Sequence, residues 1–89
     1  MKKMPKNLLD ELIKQQRAYW KDGEDNINLI AELSQEIGRK TGLCFTSPWN
    51  LVCDIIKPSG FYPDADNEII YSALRALGWE VVADVNELN

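Results

Sequence analysis

Histidine is absent from this chain of 89 residues, and cysteine occurs only twice. The first absence removes the side chain most used as a general acid or base near neutrality, and with it most nucleophile–base dyads. Two cysteines without a histidine cannot alone furnish the usual four-ligand zinc site. No apolar run approaches the roughly 18 residues that a membrane-spanning helix needs. The five glycines form neither a phosphate-binding loop nor a dinucleotide loop and read as helix and loop punctuation. Ser34, Ser47, Ser59 and Ser72 lie in no nucleophile elbow. The stretch Asp64-Ala65-Asp66-Asn67-Glu68 has the alternating acids of a calcium loop. Ile69 and Arg75, however, occupy the positions that require glycine and glutamate. No catalytic residue, metal ligand or cofactor is expected, and the chain reads as a non-enzyme.

The N-terminal Met-Lys-Lys-Met-Pro-Lys-Asn runs straight into Leu8-Leu9-Asp10-Glu11, which interrupts any signal-peptide core. A cytoplasmic location is the expectation, with Cys44 and Cys53 as reduced core thiols among apolar neighbours. At 45% hydrophobic and 27% charged residues, the chain has enough apolar material to fold rather than stay disordered. One small domain over 1–89 is expected, with residues 1–5 and 86–89 frayed.

Hydrophobic periodicity predicts four helices. Asn7 is placed to cap the first, running to about Asp22, with Leu8, Leu9, Leu12, Ile13, Tyr19 and Trp20 as its apolar stripe and Gln15 and Gln16 diluting it. Asp10 lies four residues before Lys14, the spacing of an intrahelical ion pair. Gly23 ends that helix. A second follows after Glu24-Asp25-Asn26, with Ile27, Ile30, Leu33 or Ser34, and Ile37 on its inner face and Arg39 and Lys40 in its last turn before Gly42. The third, 47–58, opens with Ser47-Pro48 and ends at Pro58. Its only polar stripe is Asn50, Asp54 and Lys57, so most of its perimeter needs neighbours, and it is expected at the centre of the bundle. The fourth covers about Ala65 to Leu77, with Asp64 as cap, Ile69, Ile70, Ala73, Leu74 and Leu77 facing inward, and Gly78 as the stop. Leu43-Cys44-Phe45-Thr46 and the Trp79-Glu80-Val81-Val82-Ala83 run have strand-forming residues, and a two-stranded ribbon of 43–46 with 79–83 is expected. The fold class is therefore mainly α, α+β at most: a compact bundle of about four helices.

Charge is unevenly distributed. Through Thr41 eight basic residues face seven acidic ones, a balance of +1; from Gly42 onward two face seven, a balance of −5, and the whole chain stands at −4. That acidity disfavours adhesion to phosphate backbones and favours a basic protein partner. The expected function is a small acidic protein-binding module, an inhibitor or adaptor of the kind represented by bacterial immunity proteins and phage-encoded blockers of host nucleases or defence complexes. Asp64, Asp66, Glu68, Glu80 and Asp84 are the expected contact carboxylates, with Phe61 and Tyr62 as apolar anchors. Two alternatives compete. One is a helix-turn-helix regulator of DNA using the basic stripe Lys14, Arg17 and Lys21 or the Arg39-Lys40 pair. The other is a self-associating subunit with Trp20 or Trp79 at its interface.

The apolar third helix generates a direct test. Replacing Ile55 with Asp should unfold the domain, read as loss of the cooperative thermal transition by circular dichroism, whereas Asn50→Ala or Asp54→Ala should shift it little. A folded Ile55→Asp protein would remove the central role given to this helix.

Overall fold

A computed structural model describes residues 2–44, 47–56 and 67–83. Their elements follow in the order β1 (Lys2–Pro5), α1 (Lys6–Asp22), α2 (Ile27–Thr41), α3 (Ser47–Ile56), α4 (Asn67–Ala76) and β2 (Trp79–Val82). The mainly helical class with a short two-stranded sheet is the one observed.

The ribbon has a different partner from the one expected. β2 pairs with β1, in parallel, setting Lys2 opposite Trp79, Lys3 opposite Glu80, Met4 opposite Val81 and Pro5 opposite Val82. Residues 43 and 44 are not strand, and 45–46 lie outside the described residues. Nor is the segment 2–5 frayed. Met4 is only 1% exposed and Pro5 is buried with it. Lys-Lys-Met-Pro is too short to show an alternating pattern, and its strand state comes from tertiary contacts instead. Proline is tolerated because a two-stranded sheet consists only of edge strands.

α1 leaves β1 without a loop. Pro5, at φ −71° and ψ 111°, stands at the N-cap with no side-chain cap bond, so the helix starts one residue before Asn7 rather than being capped by it. Leu9, Leu12, Ile13 and Gln16 are its buried residues. Their spacing puts Gln16 on the same stripe as the leucines, so the side chain that seemed to dilute the stripe is carried into the core. Tyr19 falls beside that stripe and is exposed. Gly23 closes the helix in the left-handed region (φ 65°), its N–H donating to the Ala18 carbonyl. The side-chain amide of Asn26, at the N-cap of α2, donates to the Gln15 backbone carbonyl at 2.9 Å and to Gln15 Oε1 at 2.8 Å. Those bonds lock the turn between α1 and α2.

α2 buries Ile30, Ser34, Ile37 and Gly38. Ser34 Oγ accepts the Trp49 N–H at 3.2 Å, so a free amide of the first turn of α3 is satisfied by a neighbouring helix. Pro48 and Val52 of α3 are buried, and Asn50 is exposed as its stripe predicts. α3 packs on α2 and α4 and reaches α1 through Gln16 and Cys53, so it has neighbours on three sides. Lys57 and Pro58 lie outside the described residues. α4 buries Ile70, Tyr71 and Leu74. Leu77 was expected inside, but it falls beyond the helix end, in the turn to β2, and is exposed. The core joins these residues to Met4 and Trp79 of the sheet.

Gly38 departs from the reading of glycines as punctuation. It lies inside α2, and a Cβ there would sit 2.9 Å from the Leu43 backbone carbonyl oxygen. Only glycine lets the chain leaving α2 pass this close. Alanine brings up to about 1 kcal/mol of helix propensity, but overpacking against rigid backbone costs about 1–3 kcal/mol. Gly38→Ala should therefore lower the urea midpoint with little change in m. An unchanged or raised midpoint would show that the backbone at 43–44 gives way.

Candidate functional site

The densest polar arrangement among the described residues lies between α1 and α4 and is centred on Asp10. Lys6 Nζ donates to Asp10 Oδ2 at 2.8 Å, Asn67 Nδ2 lies 3.4 Å from Oδ1, and the Tyr71 hydroxyl donates to the same Oδ1. Asp10 thus faces α4 and pairs with Lys6, where the sequence pointed to Lys14. The Lys6 ammonium also stands 5.4 Å from the centroid of the Tyr71 ring. Burial first, and then the bond to Asp10, raise the Tyr71 phenol above its ordinary value of 10.0. The bond to Asp10 also raises Lys6 above its ordinary 10.5. The carboxylate has protein donors on both oxygens, which makes it a clasp between helices rather than an open base.

Arg17 extends this cluster, its Nη1 donating to Asn67 Oδ1 at 2.8 Å. Its Nε and Nη2 are buried and make no hydrogen bond among the described residues. The expected basic stripe of Lys14, Arg17 and Lys21 is therefore broken in the middle. Lys14 and Lys21 are exposed, but the guanidinium is turned against the start of α4. The periodicity that put Arg17 on an outer face could not reveal that α4 packs there. Arg39 and Lys40 are both exposed, and both pair with the one carboxylate of Glu36 in the same helix, which offsets half of their charge.

Of the expected acidic contacts, Glu68 is exposed in the first turn of α4 and Glu80 is exposed on β2. Phe61, Tyr62, Asp64, Asp66 and Asp84 lie outside the described residues. Trp79, one of the two proposed interface tryptophans, is a core residue at 6% exposure, and Trp20 packs against the core half-buried.

Neither cysteine is in a disulfide. Cys44 is exposed rather than a core residue, because it follows α2 in the connector instead of forming a strand. Cys53 is partly buried and lies 2.9 Å from Gln16 Nε2. No group of three or more cysteine, aspartate or glutamate side chains able to hold a metal occurs among the described residues. Among the same residues, no helix is long and apolar enough to cross a membrane. Comparison of the chain with protein-family models, curated proteins and solved structures finds no match.

The clasp makes stability depend on alkaline pH. The folded state holds the Tyr71 proton more tightly than the unfolded state does, so its contribution is intact below about pH 10 and is lost as pH rises through the raised folded value. Tyr71→Phe should cost about 1–3 kcal/mol at neutral pH and flatten the decline in stability above pH 10. Urea titrations at neutral and alkaline pH check this. A Phe variant with wild-type stability and the same alkaline decline would rule out the clasp.

Proposed function

We propose that this chain is a small, non-catalytic, acidic protein-binding module that occupies a basic surface of a partner protein, as an inhibitor or adaptor in the cytoplasm. The observation that carries this reading is the balance of −5 from Gly42 onward, with Glu68 and Glu80 exposed on two separate elements of that half. Carboxylates so placed accelerate encounter with a basic surface and penalise approach to phosphate. Asp64, Asp66 and Asp84 add to that field, and Phe61 and Tyr62 supply the apolar anchors that turn an encounter into a complex. The turning of Arg17 onto Asn67 and the sharing of Glu36 by Arg39 and Lys40 support a protein partner over DNA, since both reduce what the basic stripes can offer a phosphate.

Capture with the tagged full chain from its native host should recover a stoichiometric basic partner. The purified pair should weaken with salt, and Glu68→Lys/Glu80→Lys should weaken it by about tenfold or more. Sequence-selective retardation of DNA by the unaltered chain, with no protein partner recovered, would instead support the regulator.

A further inference from the structure

One face of that acidic half already has an occupant, and the occupant has a definite chemistry. The Lys2 ammonium stands 5.4 Å from the centroid of the Trp79 ring. Lys3 lies opposite the exposed Glu80, and Met4 lies opposite Val81 with 1% of its surface exposed. β1 therefore meets β2 through backbone pairing, a cation on an aromatic ring, a cation opposite a carboxylate, and one flexible apolar side chain. These are the contacts by which an extended peptide adds to a sheet edge.

We infer that the edge of β2 carrying Trp79 and Glu80 is a recognition site for an extended basic segment of a partner protein, two cations followed by an apolar residue, and that β1 is a strap filling it in cis. The inference rests on the reading of the chain as a protein-binding module and specifies which part of the partner is taken up. The strap is suited to exchange. It has four residues, is parallel to its partner, and belongs to a two-stranded ribbon, the least robust form of sheet. A partner strand of the same chemistry reproduces the pairing of Lys2, Lys3 and Met4 with Trp79, Glu80 and Val81. While the strap is closed, the apparent affinity for that strand is reduced by the fraction of open molecules. Methionine, with its flexible thioether, fits a position that different apolar side chains can fill.

The test uses the full chain and a fluorescent synthetic peptide of residues 1–7, Met-Lys-Lys-Met-Pro-Lys-Asn, followed by anisotropy. Lys2→Gln/Lys3→Gln removes both cations of the strap but keeps Met4 and Pro5, and should bind the peptide on the order of tenfold more tightly than the unaltered chain. Glu80→Lys should reverse the preference, taking a peptide with glutamate at both lysine positions over the lysine peptide. Equal affinity of the unaltered and Lys2→Gln/Lys3→Gln chains overturns the strap, as does an unchanged peptide preference in Glu80→Lys. Should the double variant lose its fold by circular dichroism, the Glu80→Lys comparison decides alone. Titrating the same samples with poly-lysine separates the two readings. Uptake of poly-lysine without uptake of the peptide overturns the strap and leaves the acidic module standing, whereas uptake of neither removes both.

Discussion

Parallel pairing of β1 with β2 is the constraint that sets the course of the chain between them. Two parallel strands cannot be joined by a tight turn and need a crossover. Here the crossover carries α1, α2, α3 and α4. The direction of β1 sets how α1 enters the core, because no loop separates them, and the turn at Leu77 and Gly78 returns α4 to the same sheet. Met4 and Trp79, from the two strands, join the apolar cluster formed by the helices. The sheet is small, yet it closes the chain on itself.

Within that closure, single polar contacts fix how the helices sit. Asp10 holds Tyr71 and Asn67, Ser34 meets the first turn of α3, and Gln16 meets Cys53. Apolar contact alone is non-directional and would tolerate sliding between helices. A buried hydroxyl or amide tolerates little, since losing its partner leaves it unsatisfied at a cost of about 1–3 kcal/mol. Gly38 acts in the same direction by steric means, admitting the Leu43 carbonyl against α2.

Helix number, the ends at Gly23 and Gly42, and the apolar stripes of α1 and α2 were legible in the sequence, because period and capping chemistry are local properties. What escaped was non-local. Lys2–Pro5 lacks any strand signal of its own and becomes a strand only because Trp79–Val82 lies beside it. Gln16 reads as a dilution of the apolar stripe, and Arg17 as a surface residue, until the helices covering them are placed. Gly38 looked like punctuation because a close backbone approach leaves no mark on neighbouring residues. Of the expected contact surface, Glu68 and Glu80 were legible as exposed acids, whereas Arg17 was not legible as a helix-to-helix link.

The functional account converges on the same strand pair, where the basic N-terminal segment meets the acidic half of the chain. Its most direct test is the solution pairing of β1, read from nuclear Overhauser contacts and amide exchange in the intact, isotope-labelled chain. The account predicts parallel contacts of Lys2–Pro5 with Trp79–Val82, Lys3 beside Glu80, and exchange in both strands faster than in the buried stretches of α1 and α2. Random-coil shifts over residues 2–5, with the helices intact and no contact to Trp79, would contradict it.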